Sequence, residues 1–293
     1  MNKRQPLVSI AIPCYNHDKF VQETIQSVIN QDYKNIELIV IDDGSQDSSV
    51  EKIQQMVNDC INRFVRFEFR HRPNQGLCST LNEALEWCNG EYFAPIASDD
   101  LIKPIKTSLQ VNHLRENPDC IGVFGAVELL KENGSKETIT GKKATYSFND
   151  IFLHNHNLPA PTQLLRLKNV KDIGGFKKEL IIEDWSMWLF LTEDGGKLSY
   201  LDTVVSSYRR HEGNTSQQLG KMLRGRLQVV ELFQHKKNYS LAKAKVFLIQ
   251  AQDTVTVSRT EAIKLLLKAI KINSGCVFSK KLLALIFNLL SFR

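Results

Sequence analysis

The sequence predicts an α/β protein with a mostly parallel sheet flanked by helices and a helical extension at its carboxyl end. Two apolar, β-branched runs, Val8–Ile12 and Ile36–Ile41, are separated by Val21, Ile25, Val28 and Ile29 at helical spacing. That is the pattern of buried parallel strands joined by a helix. The second run stops at Asp42-Asp43-Gly44-Ser45, and a later one stops at Ser98-Asp99-Asp100. Open, doubly wound α/β sheets bind ligands at this carboxyl edge, so the arrangement is Rossmann-like. A single Asp pair serves a turn or a helix cap as readily as a site; two pairs at matching strand ends favour a site.

The first strand closes at Pro13, and Asp18 is placed to cap the next helix. Val50, Ile53, Val57 and Ile61 mark a second helix, and the partly alternating Val65–Phe69 a third strand nearer an edge. His71-Arg72-Pro73-Asn74-Gln75-Gly76 is a loop by its Pro, Asn and Gly content. Leu81, Ala84, Leu85 and Cys88 give a third helix, with Asn89-Gly90 in the position of a C-cap. Tyr92–Ala97 is a fourth strand in which Pro95 is awkward for a central position.

Ile121–Val127 reads as a strand, Lys131–Lys143 as a polar hairpin or loop, and Asn149–Asn157 as a short helix and loop. After Gly174-Gly175-Phe176 a helix starts near Glu183-Asp184, carries Trp185, Trp188, Leu189 and Leu191 on its apolar side, and stops at Gly195-Gly196. Leu198–Tyr208 returns as a strand before Arg209-Arg210-His211, and beyond Ser216 the chain reads as basic helices.

At 293 residues, 42% apolar and 24% charged, the composition is that of an ordinary soluble globular protein. Six scattered cysteines without a C-x-x-C pair suggest neither a zinc site nor a disulfide framework, and fit reduced thiols in a cytosolic protein. The start, Met1–Pro6, has no signal-peptide core, so the sequons at Asn133, Asn214 and Asn238 carry little weight. No stretch reaches the length of a transmembrane helix.

Residues 1–216 carry 24 Lys and Arg against 29 Asp and Glu, a balance of −5; residues 217–293 carry 14 against 3, a balance of +11. We therefore expect a catalytic domain over 1–216. A basic region over 217–293 would meet something anionic. No P-loop, nucleophile-elbow or H-E-x-x-H pattern is present, and no nucleic-acid partner is expected.

Taken together, these motifs resemble the amino-terminal half of the large bacterial family 2 glycosyltransferases, which have the GT-A fold, over residues 6–216. The resemblance implies transfer of a sugar from a nucleotide-sugar donor, usually with inversion at the anomeric carbon, and divides the domain into a nucleotide-sugar-binding half at 1–100 and an acceptor half at 101–216. By that resemblance Asp43, beside Asp42, accepts the imide hydrogen of a uracil, with Pro13 and Tyr15 next to the base. Ser98 and Asp99 serve the ribose, and Asp100 is the ligand of Mn²⁺ or Mg²⁺, hard ions that prefer oxygen donors. The family often has Asp-x-Asp-Asp here, where this chain has Ala97, and many relatives carry a basic residue at the position of Leu81.

Help for the diphosphate then falls to Arg72, near Gly76, or to Arg209, Arg210 and His211. This last group resembles a loop, Tyr208–Ser216, that closes over the donor in related enzymes. Its arginines can pair with phosphate or be solvated loop charges, and His211 can add a metal contact. Glu183-Asp184 resembles the acidic pair that holds the catalytic base, which we place on Asp184; both acids also suit a helix amino terminus. Trp185 can stack on a sugar or fill the core.

In the tail, Lys264, Lys268 and Lys271 accompany Ile263, Leu265–Leu267, Ile270 and Ile272, and Lys280–Arg293 is apolar but short. Such a region can lie on an anionic membrane surface, or pack on the catalytic domain or a second subunit as a homodimer. The expected activity is transfer of a hexose, glucose or galactose, from a UDP-sugar to a lipid-linked saccharide acceptor. Family members in O-antigen or capsule assembly use undecaprenyl-diphosphate-linked sugars, which implies peripheral attachment to the cytoplasmic face of the inner membrane. The alternatives are a nucleotidyltransferase that makes the activated sugar, against which Pro13-Cys14-Tyr15-Asn16 is not the expected glycine-rich loop, and a non-catalytic scaffold of the same fold.

Overall fold

Continuous burial of the first two strands sets the architecture. The structure, a computed structural model, describes residues 5–211, 213, 218–278 and 282. Its strands are β1 (Val8–Cys14), β2 (Ile36–Asp42), β3 (Arg66–His71), β4 (Tyr92–Pro95) and β5 (Leu101–Ile102). They are followed by β6 (Cys120–Leu130), β7 (Lys136–Ile139), β8 (Ala144–Tyr146), β9 (Leu164–Arg166) and β10 (Lys197–Arg209). The helices are α1 (Val21–Ile29), α2 (Ser49–Gln54), α3 (Val57–Arg63), α4 (Leu77–Trp87), α5 (Lys106–Glu116) and α6 (Phe148–Phe152). Then come α7 (Leu167–Asp172), α8 (Glu183–Thr192), α9 (Leu219–Leu232), α10 (Tyr239–Thr254) and α11 (Arg259–Ile272).

The chain divides into two compact units. The first comprises Met1–Ser147, Asn157–Lys178 and Phe190–His211, and the second Phe148–His156, Glu179–Leu189 and Glu212–Arg293.

Among the described residues the ten strands belong to the first unit, in the order β3-β2-β1-β4-β9-β6-β10-β5, with β7 on β6 and β8 on β10. The half from β3 to β4 is parallel throughout. The other half is mixed: β9 runs antiparallel to β4 and β6, while β10 is parallel to β6. Ile10, Ile12, Leu38 and Val40 pack with Val21, Ile25 and Val28 of α1 in one core. Burying each such side chain contributes about 1.5–3 kcal/mol, so this sandwich anchors the edge where β1 and β2 end.

Four local expectations resolve differently. Asp18 does not cap α1: the Phe20 and Val21 amides donate to the His17 carbonyl, and the Asp18 amide donates to Asp47. The second predicted helix breaks at Met56 into α2 and α3. Gly90 is needed for close approach rather than as a left-handed cap, since a Cβ there would lie 2.6 Å from Ser9 Oγ. Pro95 is tolerated because β9 pairs only with Tyr92 and Phe93, leaving no ladder donor for Pro95 to supply on that side.

In the second unit, Ala244, Phe247, Leu248 and Ala251 of α10 pack with Ala262, Leu265 and Ala269 of α11. Ser258 caps α11 by accepting the Glu261 amide, the Ser-x-x-Glu signature of a helix start. Ile263 and Leu267 stay exposed on the same helix as Lys264, Lys268 and Lys271. Lys280–Arg293 lies outside the described residues except for Leu282, and so does most of the 212–217 part of the predicted loop. Among the described residues no helix is long and apolar enough to cross a membrane.

Candidate active site

Asp42 and Asp43 do different work at the end of β2. Asp42 is fully buried; its Oδ1 accepts the amides of Gly44 (3.2 Å) and Ser45 (2.9 Å) and faces His71 Nδ1 at 3.0 Å. The Ser45 hydroxyl donates to Oδ2. Predicted for the nucleotide site, Asp42 instead shapes the turn, with its acceptors satisfied from within.

Asp43 reaches across to the loop after β3. Its Oδ1 accepts the Gln75 amide (2.8 Å) and an Arg72 Nη1 hydrogen, and Oδ2 accepts the Gly76 amide (2.9 Å). A carboxylate has about four acceptor directions, so one remains. Arg72 is pinned in turn, donating to Glu83 (2.7 Å), Thr80 (2.9 Å) and the Pro73 carbonyl (3.1 Å). Burial alone would lower its pKa; Glu83 and Asp43 outweigh that and raise it. Arg72 is therefore a strut for Asp43 rather than a spare cation for a diphosphate.

Two glycines permit this. Gly44 sits at φ +81°, and a Cβ there would lie 2.6 Å from the Asn74 amide nitrogen. Gly76, at φ +88°, enters α4 and gives its N–H to Asp43. The loop after β1 joins the same edge: the Asn16 amide donates to Ser45 Oγ, and Asn16 Oδ1 accepts the Gln46 amide, both at 2.8 Å. Next to it Tyr15 is 47% exposed, an aromatic face at the strand end, while Pro13 is half-buried.

The Ser98-Asp99-Asp100 turn follows β4, and the end of β10 folds over it. Asp100 Oδ1 accepts the Arg209 amide (3.0 Å), and Arg209 Nε donates to the Asp99 carbonyl (3.0 Å). Arg209 also pairs with Glu23 at 2.7 Å and lies over Phe20. Arg210 is exposed. Asp99 Oδ2 faces His211 Nε2 at 2.9 Å, and Ser98 Oγ faces His17 Nδ1 at 2.7 Å.

One ligand atom from each of His17, Asp99 and His211 lies within 4.8 Å of the other two. Imidazole nitrogens and a carboxylate oxygen at that spacing suit a divalent transition-metal ion. His211 was predicted as a metal ligand and Asp99 for the ribose; both are in the trio. Asp100, the other predicted ligand, is beside it, buried, with its carboxyl pushed well above the ordinary range by burial and by Asp99. His17 escaped the sequence reading, although it follows the first strand at the same edge as both Asp pairs.

The second unit holds the other acidic pair. Asp184 Oδ1 accepts the Trp185 amide at 2.5 Å, as expected at the start of α8. Burial and the neighbouring Asp184 push the Glu183 carboxyl up to about 8. Burial likewise raises Asp184, against the Trp185 amide and Arg226. A pair that holds a proton near neutrality is suited to proton transfer. Trp185 points inward: it is 4% exposed, its ring lies tilted against His154 with centroids 4.2 Å apart, and it donates its indole N–H to the Ile151 carbonyl. It offers no open ring face to a sugar in this arrangement.

The sequence profile of Glycosyl transferase family 2 matches residues 9–174, from β1 through the first glycine of G-G-F. The chain belongs to this family. The chain is 32% identical over 197 residues to an uncharacterised glycosyltransferase of Rickettsia felis, covering 62% of the present chain and 31% of that relative. Among solved structures, S. aureus TarS in complex with UDP-GlcNAc superposes with a TM-score of 0.66 at 19% identity, covering 96% of this chain and 87% of TarS. The mannosyltransferase PcManGT of Pyrobaculum calidifontis, in complex with GDP-Man and Mn²⁺, superposes with a TM-score of 0.63 at 13% identity, covering 99% and 89%. These likenesses establish the GT-A fold.

Proposed function

We propose that the chain is an inverting, metal-dependent hexosyltransferase. It would move glucose or galactose from a UDP-sugar to a hydroxyl of an undecaprenyl-diphosphate-linked saccharide in O-antigen or capsule assembly. The observation that carries the donor reading is Asp43: three donors fix its carboxylate at the end of β2, and one acceptor direction is left for a uracil imide. UDP-GlcNAc in TarS, and GDP-Man with Mn²⁺ in PcManGT, support a nucleotide-sugar donor and a divalent ion.

Tyr15 is assigned to the base, Ser98 and Asp99 to the ribose, and exposed Arg210 to the diphosphate. The ion, Mn²⁺ or Mg²⁺, is assigned to His211 and one acid of the Ser98–Asp100 turn, and when bound it would neutralise charge on the leaving diphosphate. Asp184, supported by Glu183, takes the proton of the acceptor hydroxyl. The hydroxyl oxygen forms a bond to the anomeric carbon from the face opposite the diphosphate as the bond to the diphosphate breaks, and UDP leaves.

We read residues 1–216 as the catalytic domain and 217–293 as the region that meets the cytoplasmic membrane face. Exposed Ile263 and Leu267 among three lysines support membrane contact. The test is a screen of UDP- and GDP-sugars against a lipid-diphosphate-linked saccharide, with mass and linkage analysis of the product. Transfer from a UDP-hexose with inverted configuration is expected. Transfer from GDP-sugars alone, or pyrophosphate release from a nucleoside triphosphate and a sugar phosphate, would overturn the reading.

A further inference from the structure

We propose that His17 is a third protein ligand of the divalent ion, so that the chain binds Mn²⁺ before any nucleotide arrives and prefers it to Mg²⁺. The proposal rests on the metal-dependent reading of the site and adds a residue and a selectivity to it.

Three separate strand ends deliver the trio: His17 follows β1, Asp99 follows β4, and His211 follows β10. Convergence of two imidazoles and a carboxylate from such distant positions is not a by-product of one turn. The 2.9 Å between His211 Nε2 and Asp99 Oδ2 is close to the spacing of neighbouring donors on one ion. Donors about 2.1 Å from an octahedral ion, at right angles, lie about 3 Å apart. An ion can thus replace the proton that now joins these two atoms with little movement of either side chain.

His17 is prepared in the way metal-binding histidines are. Its Nδ1 faces Ser98 Oγ at 2.7 Å, which holds the ring and leaves Nε2 for a ligand when Nδ1 carries the proton. Phe20 lines both imidazoles, with ring centroids 5.9 Å from His17 and 5.0 Å from His211. That apolar wall limits competing water on one side.

The donor set dictates the selectivity. Mg²⁺ favours all-oxygen, largely hydrated sites and is usually held through one or two carboxylates plus substrate phosphates. Imidazole nitrogens favour transition ions, and a two-histidine, one-carboxylate set leaves coordination positions open. Those positions suit diphosphate oxygens. Three protein ligands also mean that the ion need not wait for the nucleotide, unlike a site made of one carboxylate.

The experiment titrates the nucleotide-free full chain with Mn²⁺, following free ion by electron paramagnetic resonance, and repeats the titration in the presence of Mg²⁺. Wild type, His17→Ala, His17→Asn and His211→Ala are compared, with circular dichroism as the check on folding. We expect wild type to hold one Mn²⁺ without nucleotide, and Mg²⁺ to displace it only at more than about tenfold excess. Each His17 variant should weaken Mn²⁺ binding by about 10–100-fold. Mn²⁺ binding by folded His17 variants at wild-type strength would overturn the proposal, and so would equal competition by Mg²⁺.

Adding UDP separates the two levels. Binding that appears only with UDP and depends on His211 but not His17 would sink the His17 ligand and leave the metal-dependent reading in place. Failure to bind Mn²⁺ with UDP present would remove both.

Discussion

Replacing Asp43 by Asn removes a charge while keeping the side chain's shape, and the surrounding donors dictate the consequences. The amide oxygen would take the Oδ1 position, where the Arg72 guanidinium and the Gln75 amide both donate. The new NH₂ would then face the Gly76 N–H across about 2.9 Å, donor against donor. The Asp43 side chain is 6% exposed, so water cannot readily repair the contact. An unsatisfied buried amide costs about 1–3 kcal/mol, and loss of a charge-assisted bond about 1.5–3 kcal/mol. Arg72 keeps Glu83 as a partner, which softens the second loss.

A net destabilisation of about 2–4 kcal/mol is expected, or a fall of about 5–10 °C in the melting midpoint. If the remaining acceptor direction takes the uracil imide, UDP affinity should also fall by about 10–100-fold, the loss of one hydrogen bond to a charged group. Thermal unfolding and calorimetric titration with UDP, below the variant's midpoint, measure the two effects separately. A lower midpoint with UDP binding within twofold of wild type would refute the uracil assignment and keep the strut. An unchanged midpoint would refute the strut.

The other predictions concern the second acidic pair and the turn glycine. Asp184→Asn should abolish transfer while donor binding stays within about threefold; near-normal turnover would rule this base out. Because Glu183 is raised to about 8, the folded chain keeps a proton that the unfolded chain loses above about 4.5. Its contribution to stability is thus full below about pH 4.5 and declines up to about pH 8, by at most about 1.4 kcal/mol per pH unit, then levels off. Glu183→Gln should flatten that decline, as read by urea midpoints across the range, and an identical slope in the variant contradicts the assignment. Gly44→Ala forces a Cβ to within 2.6 Å of the Asn74 amide at a left-handed φ, and should lower stability by more than about 2 kcal/mol in the same urea assay.

The amino-terminal half of the sheet was legible because its strands are buried on both faces. Val8–Ile12 and Ile36–Ile41 appear as unbroken apolar runs, and the half-buried, partly alternating third strand falls at the edge. The mixed half was harder. β5 has two residues and β9 three, too few for any period to register, yet β9 is what turns the sheet antiparallel between β4 and β6. The Asp pairs were visible because strand-terminating acids followed by turn residues stand out. His17 was not, because a lone histidine after a strand has no periodic signature and its partners come from remote parts of the chain.

What sequence cannot display is which acids are already satisfied. Glu37 is as buried as any aspartate of the site, yet its Oε1 accepts from Ser9 Oγ (2.6 Å), the Asn89 amide (2.6 Å) and the Gly90 amide (3.1 Å), and its Oε2 meets Arg66. Asp42 is likewise enclosed by Gly44, Ser45 and His71. Each of these carboxylates already faces four partners, as many as it has acceptor directions, and a ligand could reach them only by displacing those partners. Asp43, beside Asp42 in the chain, retains an acceptor direction, and Asp99 presents its carboxylate to two imidazoles at a neighbouring strand end. The capacity of an acid on this edge to take a ligand therefore depends less on where it stands than on how many donors the fold has already given it. On that basis substitutions at Glu37 and Asp42 should act through stability, and those at Asp43 and Asp99 through ligand binding as well.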